Sequence, residues 1–284
     1  MKLLYLECNM GIAGDMLMGA LLELLPDKEA FIRQMNGMGL LDVHIGCEEA
    51  VKCGIVGTHV CVKIRGQEEE SLDHREESKE HQGTHIHLHV AEHSHGHSHS
   101  HGALHADRHR GLEDIFQIID GLSVPEKVRD DAKNIYKIIA EAEGQVHGEA
   151  VADIHFHEVG TMDAIADIVG CALLFDWLSA DMVAASAVNT GYGQVKCAHG
   201  ILPVPAPATA RILQGIPCYA GEIRGELCTP TGAALLKYFV QDFTVLPRMT
   251  IEKIGYGMGK KDFPAANCVR AFWGQGNRSD RSVL

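Results

Sequence analysis

Apolar residues fall along this chain in two rhythms, one repeating every second residue and one every third or fourth. The first marks strands and the second marks helices. Lys2 to Cys8, KLLYLEC, has the strand rhythm; Asn9 to Asp15 follows as a glycine-containing turn, and Met16 to Leu25 has the helical rhythm. This strand, turn and helix open many α/β folds. Phe31 to Leu40 predicts a short helix, and Val43 to Cys47 and Ile55 to Arg65 predict strands, with THVCVKI the clearest alternation. Both rhythms stop near Glu68 and resume after His109. Gly111 to Ile119 then reads as an amphipathic helix. A longer one starts around Ser123 to Glu126, with Pro125 in its first turn, and carries apolar residues at Val128, Ala132, Ile135, Ile138 and Ile139. Thr161 is the expected N-cap of an apolar helix, Met162 to Leu178, and Asp181 to Asn189 a small-residue strand.

From Asn189 to Pro207 glycine and proline are dense enough to predict shaped loops, and the alternating Pro203, Pro205 and Pro207 fix an extended segment with room for a cis bond. Ala208 to Gln214 returns to helix. Thr229 or Thr231 caps another, AALLKYFV; Ile254 to Gly259 reads as a glycine-rich loop, and Asn267 to Trp273 as a last strand. Strands and helices largely alternate, so the expected fold is α/β, a mixed sheet flanked by helices. The expected organisation is an N-terminal βα part over 1–67, a disordered His-rich loop over 68–109, the main part over 110–273, and a flexible tail over 274–284.

The loop is where composition changes the picture. Glu68 to Glu80 is charged with almost no aliphatic content, and from His81 to His109 histidine recurs every few residues. Such a tract cannot bury enough apolar surface to order itself. It reads either as a tolerated polar insertion or as a reservoir, since imidazoles collect Ni, Zn, Cu or Co. The whole chain of 284 residues carries a net charge of −13, which argues against nucleic acid as a partner. No apolar run reaches membrane-spanning length, and Met1-Lys2 leads into a strand pattern rather than a signal peptide, so no membrane partner is expected. Nine cysteines without a CxxC pair fit a reducing, cytoplasmic setting.

Candidate chemistry concentrates in Glu143 to Asp167, EGQVHGEAVADIHFHEVGTMDAIAD. Glu143 and His147 are spaced i, i+4 and share a helix face. His155 and His157 are spaced i, i+2 and share a strand face, with Glu158 adjoining and Asp163 in the first turn of the next helix. Imidazole and carboxylate together suit Zn, Ni, Fe or Mn; the alternative is the polar face of an edge strand. Gly11 and Gly14 allow close backbone approach at a helix start that favours an anion, and Asp15 there is either a capping carboxylate or an acid–base group. Thr229, Thr231 and Gly232 form a second such start, and His199 lies in a loop beside Gly200.

These stretches carry a resemblance. LEC-x-x-GIAGDM, RGLEDI, AEAEGQVHG, HFHEVG-x-x-DAIADIVG, NTGYG, AHGILPVPAPAT, GELCTPTGAALL, and GYGMGKKD with NCVR resemble, in order, the motifs of the LarC-type nickel-insertion family. The resemblance implies insertion of nickel into a pyridinium bisthiocarboxylic acid mononucleotide, giving the nickel pincer cofactor of lactate racemase. It also implies a metal–carbon bond, use of CTP with Mg or Mn, and a C-terminal CTP-binding domain that this chain is expected to lack. Glu7 stands where the family has Asp, and Asn9-Met10 where it has an aromatic and Ser pair. On this reading His155, His157 and Glu158, or Glu143 with His147, present nickel. Asp15, Asp163 or His199 takes the ring proton, and Gly11, Gly14, Thr229, Thr231 and Gly232 hold the phosphate. Self-association into a homo-oligomer is open. The competing readings are a nickel storage or delivery protein without catalysis and, on motif shape alone, a Zn or Mn hydrolase.

Overall fold

The computed structural model describes residues 1–68, 110–156, 159–197 and 199–276. The histidine-rich tract from 69 to 109, His157, Glu158 and the end of the chain from 277 lie outside the described residues. The architecture is a mixed sheet flanked by helices, as the alternating rhythms predict. Its eight strands are β1 (Lys2–Glu7), β2 (Val43–Lys52), β3 (Ile55–Ile64), β4 (Gln67–Glu68), β5 (Met182–Ala185), β6 (Asp242–Phe243), β7 (Met249–Met258) and β8 (Cys268–Gly276). They lie in the order β6-β5-β1-β8-β7-β3-β2, with β4 beside the far end of β3.

Most pairs that are neighbours in sequence are hairpins. β2 and β3 pair antiparallel from Val43–Ile64 to Lys52–Ile55, and β7 and β8 pair antiparallel with an irregularity between Ile251 and Lys253. The first and last strands of the described residues meet in the middle of the sheet, where β1 pairs antiparallel with β8 and parallel with β5. β6 is parallel to β5, and β3 is parallel to β7 through Thr58 and Gly257. Consequently β1, β3, β5, β6 and β7 all end at one edge of the sheet.

The helices are α1 (Gly14–Leu22), α2 (Lys28–Gly37), α3 (Leu112–Asp120), α4 (Glu126–His147), α5 (Met162–Leu178), α6 (Pro207–Ile212) and α7 (Pro230–Phe239). Apart from ends displaced by a few residues, they occupy the segments with helical rhythm. α5 is apolar on all sides, and buried all round: Ile165, Ile168, Val169, Ala172 and Leu173 are each closed to solvent. Thr161 caps it, its side chain accepting from the Ala164 N–H. Asp27 caps α2 by accepting from the Ala30 N–H at 2.8 Å. The extended proline segment does contain a cis bond, Val204–Pro205. No helix among the described residues is long and apolar enough to cross a membrane.

One prediction is corrected. Ile254 to Met258, expected as a glycine-rich loop, is the end of strand β7. Its glycines serve contact rather than turning. A Cβ on Gly255 would overlap the Ala20 carbonyl oxygen, and a Cβ on Gly257 the Met16 carbonyl oxygen. Gly19 of α1 answers from the other side, lying against the Thr58 carbonyl. The backbone of α1 therefore rests directly on β7 and β3, which fixes where its first residues stand.

Candidate functional site

α1 starts where β1 ends, α7 connects the parallel strands β5 and β6 and so runs back along the sheet, and contacts of Gly14 with Asp167 and of Gly232 with Ile12 bring the starts of α5 and α7 to that of α1. All three therefore begin at the edge where β1, β5 and β6 end. The two glycine and threonine turns picked out in the sequence meet there. The Ile12 N–H donates to the Leu227 carbonyl at 2.9 Å, and the Thr229 N–H donates to the Ile12 carbonyl at 3.0 Å. Gly11, with φ +76°, and Gly232 are held so closely that a Cβ would overlap the Leu227 and Ile12 carbonyls respectively. A Cβ on Gly14 would overlap the Asp167 carboxylate. The bare side of each of these glycines thus faces protein. Thr229 caps α7, accepting from the Gly232 N–H at 3.2 Å, and its hydroxyl lies 2.9 Å from that of Thr231.

Around the first turns of α1 and α5 stands a group of charges of graded burial: Asp167 and His59 are buried, Asp15, Asp163 and Glu68 are partly buried, and Lys260 is exposed. Asp15 accepts from its neighbour, the Met16 N–H, at 2.8 Å. Asp163 occupies the first turn of α5 and Asp167 the next turn of the same face, where it is buried. Lys260, two residues beyond β7, lies 3.1 Å from Glu68 at the end of β4. His59 on β3 places Nε2 3.5 Å from the same Glu68 oxygen and Nδ1 3.0 Å from the Met258 carbonyl.

The electrostatics of this group follow from burial and like charge. Burial pushes the Asp15 carboxyl above the usual range, partly offset by Lys260 and by the Met16 N–H. Burial displaces Asp167 further up, and the charges of Asp163 and Asp15 add to it. Lys260 is held charged above the ordinary lysine range: burial opposes its charge, but Asp163, Asp15 and Glu68 outweigh that cost. Burial likewise opposes the charge on Glu68, and Lys260 and His59 overcome it, so its carboxyl lies below the usual range. One cation, its side chain partly open to solvent, thus serves several carboxylates, and the Asp15 and Asp167 carboxyls hold their protons more tightly than an isolated aspartate would.

Asp167 supplies a stability test. Its Oδ1 is buried without a hydrogen-bond partner. A carboxyl whose folded pKa is raised binds its proton more tightly folded than unfolded. Its cost is absent below the unfolded pKa of about 3.9 and grows as pH rises towards the folded value. Asp167→Asn, which carries no charge at any pH, is therefore expected to melt at a higher temperature than the parent. The gap should widen with pH, to a gain of about 1–3 kcal/mol at neutral pH. Thermal melts across a pH series check this; a gap independent of pH contradicts the buried-charge account.

The other candidates lie elsewhere among the described residues. Glu143 and His147 at the end of α4 are 3.4 Å apart, and the His147 ring is 4.9 Å from that of His199, so these three do come together. His155 is exposed on a two-residue strand pairing with Arg110–Gly111, while Phe156 points into the core. Sequence reasoning did not single out Asp167, Lys260, His59 or Glu68. The signals were there in part: Asp163 and Asp167 are spaced i, i+4 on an apolar helix, and His59 and Cys61 are spaced i, i+2 on one strand face.

The description "nickel insertion protein" belongs to the family model that matches residues 4–284. A pyridinium-3,5-bisthiocarboxylic acid mononucleotide nickel insertion protein of Clostridium kluyveri is 39% identical over 282 residues, covering 99% of this chain and 64% of the relative. The protein of that name from Clostridium acetobutylicum is 41% identical, covering 97% and 64%, and one from Staphylococcus epidermidis is 38% identical, covering 95% and 58%. The chain thus spans about three-fifths of the length of these curated relatives. No solved structure matches it.

Proposed function

This chain belongs to the family of nickel insertion proteins, and from that premise we propose that it forms the nickel-inserting part of an enzyme acting on pyridinium-3,5-bisthiocarboxylic acid mononucleotide. The observation that carries the reading is the cluster of Asp15, Asp163, Asp167 and Lys260 beneath three helix starts at the strand-end edge. In open α/β sheets that edge is where ligands bind. The N–H groups at the starts of α1 and α7 suit the substrate phosphate, and Lys260 adds charge on the same side.

Insertion breaks a ring C–H bond, forms a nickel–carbon bond from its electron pair, and releases a proton to a base. A carboxylate with a raised pKa is a stronger base than one in water, and Asp15, mostly buried and sharing Lys260 with Asp163, is the proposed acceptor. Among the remaining candidates, His199 is a second possible proton acceptor. His155, His157 and Glu158, with Glu143 and His147, are the imidazole and carboxylate donors proposed to present nickel. CTP with Mg or Mn is proposed to bind a C-terminal domain, and the product to be the nickel pincer cofactor of lactate racemase.

Calorimetric titration with the mononucleotide and with nickel tests the reading. The chain is expected to bind both. A mononucleotide stripped of its phosphate should bind more weakly by about 1–3 kcal/mol, for the loss of charge-assisted hydrogen bonds. Nickel binding with no affinity for the mononucleotide would instead establish the storage or delivery reading, which the histidine-rich tract favours.

A further inference from the structure

The hairpin of β2 and β3 brings together a donor set that the sequence motifs do not mark. Glu48 and His59 are directly opposite in the antiparallel register, so their side chains leave the same face of the sheet. Cys61 lies two residues beyond His59 on that face. One carboxylate oxygen, one imidazole nitrogen and the thiol sulfur of these residues all lie within 4.8 Å of one another. Metal–donor bonds are about 2.0–2.3 Å long, so donors on opposite sides of one ion stand up to about 4.6 Å apart. The three therefore need only small side-chain rotations to share an ion. Among the described residues this is the one such group of three.

Its surroundings are those of a metal site. His59 points Nδ1 at the Met258 carbonyl at 3.0 Å, an arrangement that places the ring proton on Nδ1 and leaves the Nε2 lone pair for a ligand bond. Nε2 faces Glu68 at 3.5 Å, a fourth oxygen donor at the rim. His59 and Cys61 are buried while Glu48 is exposed, so the site opens to solvent on one side only. Thiolate with imidazole and carboxylate selects a borderline-soft divalent ion over Mg or Ca.

We propose that Glu48, His59 and Cys61 form a sulfur-containing nickel-loading site, additional to the imidazole–carboxylate donors named above, from which the ion passes to the mononucleotide beside Asp15. Two links support the transfer. Glu68 joins this site to the acid–base cluster, touching His59 on one side and Lys260 on the other. In sequence, Glu68 also immediately precedes the histidine-rich tract, a proposed source of the ion. The transfer rests on the functional reading above; the existence of the site does not.

Nickel titration of the whole chain, followed by near-ultraviolet absorption, separates the two. Thiolate bound to Ni(II) gives a charge-transfer band that histidine and carboxylate cannot give, and residues 69–109 contain no cysteine. Nickel added to saturation of the whole chain is expected to produce the band. Cys61→Ser should abolish it, and Glu48→Gln and His59→Ala should each weaken nickel binding at this site tenfold or more. Cys47→Ser, on the opposite face of β2, should leave the band unchanged. Circular dichroism confirms that each variant is folded, and Cys61→Ala provides a second removal of the sulfur should the serine variant not fold. No band in the parent, or a band that survives loss of Cys61, overturns the site. If the band behaves as expected while the Cys61 variant inserts nickel as fast as the parent at limiting nickel, the transfer step is wrong. A parent that shows the band but binds no mononucleotide refutes the insertase reading and leaves the site intact.

Discussion

Lys260→Met is expected to reduce nickel insertion at neutral pH by on the order of 10²-fold, about 2.7 kcal/mol, and to move the acid limb of the pH–rate profile upward. Lys260 is the cation that Asp15, Asp163 and Glu68 share. It lowers the pKa of Asp15 and of Asp167, against burial that raises both. Without it both carboxyls hold their protons to higher pH, and a protonated Asp15 cannot accept the ring proton. The sign is therefore fixed: the variant loses most activity at low and neutral pH and recovers part of it as pH rises. Lys260→Arg keeps the charge and should retain more activity than Lys260→Met. Insertion is to be assayed under the conditions proposed above, with CTP, a divalent ion and the C-terminal domain present, and with a thermal melt to confirm folding. A folded Lys260→Met protein whose profile coincides with that of the parent removes Lys260 from the mechanism and leaves it a structural ion-pair partner.

Gly257→Ala is expected to cost about 3 kcal/mol or more of stability and to abolish insertion with it. The added methyl meets backbone, the Met16 carbonyl oxygen, which cannot rotate away as a side chain would. Relief requires α1 to lift from β7. That shift moves Asp15, which adjoins Met16, relative to Lys260, which follows three residues after Gly257. Gly37→Ala at the end of α2 is the control: nothing lies within 4 Å of the added methyl, and alanine is the better helix former. It should be neutral or slightly stabilising. Melting temperatures of the two variants give the comparison, and equal values would mean that α1 and β7 are not packed as closely as described.

The sequence by itself determined the elements whose identity depends on local periodicity and capping. The alternation in Ile55–Ile64, the caps at Thr161 and Thr229, and the continuous apolar run of α5 each depend on residues a few positions apart, so they are visible in a single chain. The family motifs were legible for the same reason. Tertiary structure alone decided what depends on residues far apart in sequence. The pairing of β1 with β8 joins the two ends of the described chain, and no local pattern encodes it. Gly255 and Gly257 read as a loop because glycine is locally a turn former; only the approach of α1 makes them strand residues. The cluster of Asp15, Asp163, Asp167, Lys260 and Glu68 draws on four separate segments, and its shifted protonation comes from burial and mutual charge, which exist only once those segments meet. Glu48 likewise gains meaning only from the register that places it across from His59.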